Sequence, residues 1–299
     1  MSSSNIARLF LLAAIWGTSF MLMRIAAPVL GPMLTTFGRA SLATLALLAF
    51  ARSRGVPLQW RRNWLPYLVI GIANTALPFS LFAWSALYIP SSYMATMNSL
   101  APVFTALFGF LLLGERLTAV RMASFVLGLF GVGVLVGVGP MRVDAMVILA
   151  VLASMGAALS YGFAATFTRM RGGGISPIAI AAGSQFTASL CLLPLALPSL
   201  PHALQAGTPA SLLAVSVLGV VCTGLAYALF FQLISTEGAT RAITVTFLIP
   251  VFASLWAWLL LDEPVTTGTV AGIAIVLAAT AAALRAKPSA PRVPGKASA

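Results

Sequence analysis

The chain has 299 residues, of which 60% are hydrophobic and only 7% are charged, and its mean hydropathy is +1.03. A soluble domain carries about 25% charged residues, so this composition excludes a protein whose main solvent is water. Seventeen Lys and Arg against five Asp and Glu give a net charge of +12. The basic residues lie between long apolar runs, which argues against a nucleic-acid-binding protein.

Taken in chain order, ten apolar runs predict ten membrane-spanning helices, because a bilayer core needs about 20 mostly apolar residues per helix. The predicted spans are 6–26, 32–51, 64–88, 91–113, 118–138, 144–168, 176–198, 210–235, 239–261 and 267–285. The first run is interpreted as a retained span and not as a cleaved signal peptide, since it matches a later internal span. The tail, residues 287–299, is rich in Pro, Ser, Ala and basic residues and is predicted to be disordered.

With ten spans, both termini lie on one side of the membrane. Fourteen of the seventeen Lys and Arg residues fall on that side, whereas Arg142 and Arg24 lie toward the other side and Arg39 lies inside a span. Short cytoplasmic loops carry an excess of Lys and Arg, so the pattern predicts cytoplasmic termini. The expected location is the cytoplasmic (inner) membrane of a prokaryote, with the lipid bilayer as a partner and no nucleic acid bound.

The two halves of the sequence repeat one another. At an offset of 145 residues the matched positions are Trp16 with Tyr161, Gly17 with Gly162, Arg24 with Arg169 and Pro32 with Pro177. At an offset of 148 they are Phe79 with Tyr227, Asn98 with Thr246, Pro102 with Pro250 and Glu115 with Glu263. Each half holds five spans, an odd number, so the second half must enter the membrane upside down relative to the first.

The predicted fold class is therefore an all-α membrane protein of ten transmembrane helices, built as two inverted five-helix repeats. The first repeat is residues 1–140, the second is residues 141–286, and residues 287–299 form the cytoplasmic tail. Repeats of this kind place a binding site between them, near the membrane midplane, and allow alternating access. Small residues in the fifth and tenth spans, Gly133 to Gly137 and Gly268 to Gly272, suit scaffold or dimer contacts.

Short motifs mark the two halves in the same order. In the first half they are Ala14-Ile15-Trp16-Gly17-Thr18-Ser19-Phe20 with Arg24, then Leu100-Ala101-Pro102-Val103 and Leu113-Gly114-Glu115-Arg116-Leu117. In the second half they are Tyr161-Gly162 with Arg169, then Leu248-Ile249-Pro250-Val251 and Leu261-Asp262-Glu263-Pro264. With these motifs the chain resembles the EamA-type transporters of the drug/metabolite transporter superfamily, over essentially its whole length to about Leu284.

Within that family, the aromatic lining and the length are similar to those of bacterial aromatic amino-acid exporters of the YddG type. The resemblance implies ten helices in two inverted repeats. It also implies export of amino acids or similar metabolites from the cytoplasm, without ATP hydrolysis by the chain itself. The expected partner is a small-molecule solute, and the expected state is a monomer or a homodimer.

Arg39 is the principal candidate for substrate recognition, because an ionisable group inside a span is costly and marks a functional site by default. Its guanidinium can clamp a carboxylate through two parallel hydrogen bonds. The alternative is an Arg that pairs with backbone carbonyls or reaches toward a polar cavity. Arg24 lies near the end of its span, where snorkelling to the membrane surface is expected.

The other predicted substrate-binding residues are aromatic groups that wall a cavity and polar groups that face the bundle interior. The aromatic set is Trp16, Phe79, Tyr161 and Tyr227, and the polar set is Asn74, Asn98, Gln185 and Thr246. Pro78, Pro102 and Pro250 are predicted to break their helices at the cavity and free backbone carbonyls. The alternatives are plain packing and interhelical hydrogen bonding. The cavity is expected between the first four and the sixth to ninth spans.

The acidic residues all fall near span ends, at Glu115, Asp144, Glu237, Asp262 and Glu263. Proton-driven carriers usually have a carboxylate or a His relay inside the membrane, so transport without proton coupling is predicted. Glu115 and Glu263 occupy matching span ends, where they either gate the pathway or cap helices.

Other functional classes fit the sequence less well. The single His202 and the two Cys, Cys191 and Cys222, form no metal set or disulfide framework, and neither a His-Glu-x-x-His helix nor a Gly-x-Ser-x-Gly elbow is present. No enzyme, catalytic residue, metal or cofactor is therefore predicted. The predicted function is a carrier that exports small organic metabolites, with aromatic or apolar amino acids as the expected substrates. The alternatives are an exporter of another metabolite or drug, a membrane-embedded enzyme, and a pore.

Overall fold

The computed structural model describes residues 2–139 and 142–285, which form helices and contain no strand. In chain order the helices are α1 (Ser3–Leu30), α2 (Pro32–Ser53), α3 (Trp60–Ser85), α4 (Ser91–Leu113), α5 (Ala119–Gly137), α6 (Ala145–Arg171), α7 (Pro177–Ala206), α8 (Pro209–Glu237), α9 (Val245–Leu261) and α10 (Thr267–Arg285). By length and apolar composition, all of these except the shorter α9 are able to cross a membrane. Each predicted span overlaps one helix. The prediction of an all-helical chain of about ten apolar helices is therefore confirmed. The tail predicted to be disordered, 287–299, lies outside the described residues.

The outer surface of the bundle is apolar. Leu45, Val126, Phe130, Leu213 and Leu260 are each between 61% and 66% exposed. Extensive exposed apolar surface marks a binding or membrane-facing region, and backbone groups satisfied within helices are what a bilayer requires. The surface is therefore the kind that a multi-pass membrane protein presents to lipid.

Helix α7 is longer than predicted, since it continues to Ala206 and does not end at residue 198. It passes through a short 3-10 turn, Leu197–Ser199, before its last α-helical segment, Leu200–Ala206. In both of these segments a Pro occupies one of the first two positions, where the missing N–H costs no hydrogen bond. The Pro residues that suggested the end of the span are accommodated in this way.

Helices α3 and α8 are interrupted at corresponding points. A π-helical segment occupies Ile72–Ala76 in α3 and Val220–Leu225 in α8, and the two segments begin 148 residues apart, the offset at which the sequence halves match. Such wider turns are frequent at functional sites. Helix α4 unwinds between Asn98 and Ala101, and a break at residues 243–244 separates α9 from the helical turn Ala239–Ala242. All four irregular segments contribute residues to one internal cavity.

Glycines bring α1 close to α9 and α6 close to α4. A Cβ atom on Gly17 would lie 2.8 Å from the Cβ of Phe252 and 2.9 Å from the backbone nitrogen of Ala253. A Cβ atom on Gly162 would lie 2.7 Å from the Cβ of Phe104. The glycines are matched at the offset of 145, and Phe104 and Phe252 are matched at 148. Neither contact has room for a side chain.

We expect Gly17→Ala and Gly162→Ala each to destabilise the protein by about 1–3 kcal/mol, because overpacking displaces neighbouring backbone. The measurement is thermal unfolding of the purified protein in detergent. Gly133→Ala is the matched control, because a Cβ at Gly133 meets no atom within 4 Å and Ala is the better helix former. Wild-type stability in the Gly17→Ala and Gly162→Ala variants would contradict these tight contacts.

Helix α5 packs against α10, but the small residues contribute unequally. A Cβ on Gly272 of α10 would lie 2.6 Å from the Cβ of Leu135 in α5. Gly133 and Gly137 of α5 have no atom within 4 Å of such a Cβ. Gly272 therefore packs closely within the bundle as predicted. Gly133 and Gly137 lie on the exposed face of α5 and make no such contact within the chain, so for them the alternative of a dimer contact stays a prediction.

Candidate functional site

A large cavity of about 1020 Å³ lies inside the helix bundle. It extends from the buried Arg39 of α2 to the exposed side chains of Arg169 and Arg285, at the ends of α6 and α10. Its wall contains residues of α1 to α4, α6, α8 and α9, as the sequence predicted. Helix α7 contributes no lining residue, whereas Arg121 of α5 and the last turn of α10 line the cavity near its exposed end. The predicted wall is thus wrong for α7.

Eight of the nine predicted substrate-binding residues line this cavity, and they come from seven helices and both halves of the chain. They are Trp16, Arg39, Asn74, Phe79, Asn98, Tyr161, Tyr227 and Thr246. Their role in binding a substrate remains a prediction. The ninth residue, Gln185, is 1% exposed and lies outside the lining.

The guanidinium of Arg39 is held at the inner end of the cavity. Arg39 is 6% exposed, its Nε donates a hydrogen bond to Thr223 Oγ1 at 3.0 Å, and its Cζ lies 3.7 Å from the centre of the Phe79 ring. It forms no ion pair with any of the five acidic residues, all of which are described. A buried cation without a counterion is costly, so this group is suited to bind an anion.

Gln185 of the second half lies at nearly the sequence position that corresponds to Arg39 of the first half, at an offset of 146 residues. Its Nε2 donates to Thr75 Oγ1 at 3.0 Å, as Arg39 donates to Thr223. Thr75 and Thr223 lie 148 residues apart, each in a π-helical segment. The sequence placed Gln185 in the interior correctly, but the orientation of α7 directs its amide toward α3, outside the cavity lining.

Aromatic rings form the walls. The Trp16 ring lies 5.3 Å from that of Phe230, and the Tyr161 ring lies 6.3 Å from that of Phe82. The Tyr227 hydroxyl accepts a hydrogen bond from Asn74 Nδ2 at 3.1 Å. Phe82 and Phe230 also line the cavity and were missed from the sequence, although they match one another at the offset of 148. Their helical spacing from Phe79 and Tyr227, three residues further along each helix, could have identified them.

The predicted helix-breaking prolines behave differently from one another. Pro102 lines the cavity and follows directly on the unwound part of α4. Pro78 follows the π-helical segment of α3. Pro250 lies within a continuous α9, and the break lies several residues earlier, at residues 243–244. The predicted break at Pro250 is therefore wrong in position, since a proline so close to the helix start removes only one backbone hydrogen bond.

Beside these breaks, polar groups reach the cavity. Asn98 lines the cavity, and its side chain makes no hydrogen bond to other described residues. Thr246 Oγ1 donates to the carbonyl of Ile243 at 2.8 Å. Asn98 thus has both a donor and an acceptor available for a solute.

An ion pair closes the end of the bundle opposite the exposed end of the cavity. The Glu263 carboxylate forms an ion pair with Arg24, whose Nε lies 2.9 Å away. It accepts hydrogen bonds from the backbone N–H of Ser91 at 2.9 Å and from the Ser91 hydroxyl at 3.2 Å. Arg24 Nη1 donates to the carbonyls of Ala86 and Ile89. The expectation that Arg24 snorkels to the surface is therefore wrong, because the buried Glu263 carboxylate binds it. These contacts tie α1 and the start of α4 to the connection after α9.

A corresponding ion pair lies at the exposed end of the cavity. Glu115 accepts from Arg169 Nη2 at 2.8 Å and from Arg121 Nη1 at 3.1 Å. Arg169 and Arg24 are matched in the two halves, as are Glu115 and Glu263. The sequence matched these residues but did not predict that they pair.

The surroundings shift the pKa values of Glu263 and Glu115 in opposite directions. Burial raises the pKa of Glu263, and the charge of Arg24 offsets this only in part. Burial also acts to raise the pKa of Glu115, but the hydrogen bonds and charges of Arg169 and Arg121 together outweigh burial and lower it. The carboxylate beside the exposed end of the cavity is therefore held ionised by two arginines.

Among residues 2–139 and 142–285, no group of three or more His, Cys, Asp or Glu side chains is arranged to hold a metal ion. The groups that line the cavity are aromatic rings, aliphatic side chains, amides, hydroxyls, a thiol, arginines and the carboxylate of Glu115. Their chemistry is that of binding a solute by hydrogen bonds, charge and apolar contact.

Several bacterial proteins are similar to this chain. The uncharacterized transporter YvbV of Bacillus subtilis is 24% identical over 89% of this chain and 87% of its own length. Protein PecM of Dickeya dadantii is 23% identical over 90% of this chain and 89% of its own length. A probable terminal-alkyne amino-acid exporter of Streptantibioticus cattleyicolor is 23% identical over 87% of this chain and 86% of its own length. A solved crystal structure shares the fold, with a TM-score of 0.62 at 19% identity, over 95% of this chain and 97% of that chain.

The EamA-like transporter family matches the chain in two segments, residues 4–137 and 148–285. Together these segments include nearly all of the described helices. The family and these relatives are transporters and not enzymes, which confirms the prediction of a non-enzyme. The chain therefore belongs to the EamA-like transporter family.

Proposed function

We propose that the chain is a carrier that exports small organic metabolites, above all aromatic or apolar amino acids, by alternating access and without proton coupling. The observation that carries this proposal is the buried Arg39, stacked on Phe79 at the inner end of a cavity with aromatic walls. An aromatic amino acid supplies a carboxylate for the guanidinium and an apolar body for the walls. The similarity to an amino-acid exporter supports this substrate class.

The two halves, 1–140 and 141–286, are inverted five-helix repeats in this proposal. The family matches each half separately, and each half contributes five helices. The π-helical segments begin 148 residues apart. The residues that follow α4 and α9, Gly114 and Asp262, are both in the left-handed conformation and are also 148 residues apart. These matches support a pseudo-two-fold relation.

The ion pairs support alternating access. In this structure the Glu263 contacts close one end of the bundle, whereas the cavity extends to the other end, beside Glu115. An inverted repeat can exchange the conformations of its halves. In the alternate state the contacts of Glu263 would open, and the end beside Glu115 would close.

The excess of Lys and Arg at the end beside the termini supports cytoplasmic termini and a location in the cytoplasmic membrane of a prokaryote. The cavity then opens toward the cytoplasm, the side from which an exporter takes its substrate. Glu115 is the only acidic residue among the described residues that line the cavity, and two arginines hold it. With no free carboxylate or His in the lining, transport without proton coupling is the simpler mechanism.

We expect Trp16→Ala and Tyr161→Ala to reduce transport by about tenfold or more, since burial of an aromatic solute against each ring contributes about 1.5–3 kcal/mol. Efflux of labelled phenylalanine is measured from cells preloaded with a phenylalanine dipeptide. Both variants should reach the membrane in wild-type amounts. Trp64→Ala, a change at an exposed tryptophan outside the cavity, is the control. Wild-type efflux in the Trp16→Ala and Tyr161→Ala variants would contradict the proposal that these two rings contact the solute.

A further inference from the structure

The charged residues that line the cavity are mostly positive. Arg39, Arg121, Arg169 and Arg285 are opposed by Glu115 alone. Both carboxylate oxygens of Glu115 already accept hydrogen bonds from Arg169 and Arg121. The other four acidic residues are described and lie outside the lining.

The inner part of the cavity therefore offers a free cation and only neutral acceptors. Apart from Glu115 and the arginines, the polar side chains of the lining are neutral, among them those of Ser19, Asn74, Asn98, Thr223 and the tyrosines. A substrate ammonium there would exchange hydrogen bonds to water for hydrogen bonds to neutral oxygens, an exchange that stabilises little. It would also lie in the field of Arg39, which repels it. A carboxylate, by contrast, gains a charge-assisted contact that water does not match.

We propose that the cavity recognises the carboxylate and the apolar body of its substrate but not an amino group, so that organic monocarboxylates are carried together with amino acids. The inference rests on the proposed carrier function and defines its substrate class. The features required are a single negative charge, which meets Arg39, and an aromatic or branched apolar body, which meets the rings around Trp16 and Tyr161. An amine that lacks the carboxylate is excluded.

Three compounds with the same phenyl body separate these possibilities: L-phenylalanine, 3-phenylpropionate and 2-phenylethylamine. Binding to the purified protein is measured by calorimetry and by the shift in melting temperature, which do not depend on transport. We expect 3-phenylpropionate to bind within about threefold of phenylalanine, because loss of a neutral-acceptor contact costs little. We expect 2-phenylethylamine to bind about 100-fold more weakly or not at all, because it loses the charge-assisted contact and is repelled.

Arg39→Gln and Arg39→Lys test the origin of this selectivity. The Arg39→Gln variant should lose the preference for the acid over the amine, and Arg39→Lys should keep it at reduced affinity. Binding of phenylalanine without 3-phenylpropionate, or equal binding of 2-phenylethylamine, would overturn the inference and leave the carrier function standing. If none of the three compounds binds, the proposed amino-acid substrate is wrong and the inference falls with it.

Discussion

Replacing Arg39 with Gln is expected to raise the concentration at which transport half-saturates by at least tenfold, while the protein remains folded in the membrane. Its guanidinium supplies the positive charge at the inner end of the cavity, with Thr223 and Phe79 fixing its orientation. A hydrogen bond to a charged group contributes about 1.5–3 kcal/mol, which corresponds to roughly a 10- to 150-fold loss of affinity. Arg39→Lys keeps the charge but loses the planar fork, so partial transport is expected.

The measurement is the concentration dependence of exchange in liposomes, together with the melting temperature of each variant. Arg54→Gln is a control, because Arg54 is an exposed arginine just after the end of the same helix and lies outside the cavity lining. It should exchange like the wild type. Half-saturation at the wild-type concentration in the Arg39→Gln variant would mean that Arg39 does not touch the solute.

A disulfide between cysteines at Ser91 and Glu263 is expected to stop transport completely. These residues are in direct contact, with Ser91 N and Oγ at 2.9 and 3.2 Å from the Glu263 carboxylate. A covalent link would hold closed the end that must open in the alternating-access cycle. Addition of a reductant should restore exchange.

Each single variant, Ser91→Cys and Glu263→Cys, is oxidised in the same way as a control and should keep its own level of exchange. The single variants also separate the effect of the link from the loss of the ion pair with Arg24. Undiminished exchange in the fully cross-linked double variant would show that this end does not open during transport, which is the behaviour of a pathway other than alternating access.

Much of the fold was predictable because the sequence repeats itself and because lipid tolerates few structures. Spans of about 20 apolar residues leave helices as the simple solution. Trp16 and Tyr161 were found through their matching positions, and both line the cavity. A single sequence thus predicted which residues lie together, although their role in binding awaits experiment.

The features that were missed depend on helix rotation and local backbone geometry. The π-helical segments change which residues face inward, so Thr223 became the partner of Arg39. Gln185 has the polarity of a lining residue, but α7 directs it toward Thr75. Pairing of Arg24 with Glu263 requires two helix ends to meet, and sequence spacing alone does not give that distance.

The most direct test of the carrier function is counterflow in liposomes that contain the purified protein, with a panel of labelled amino acids and with or without a proton gradient. Saturable exchange that is limited to aromatic and branched amino acids and indifferent to the gradient is the predicted result. Flux that does not saturate would contradict a carrier and favour a pore, and the absence of exchange for every amino acid would contradict the proposed substrate.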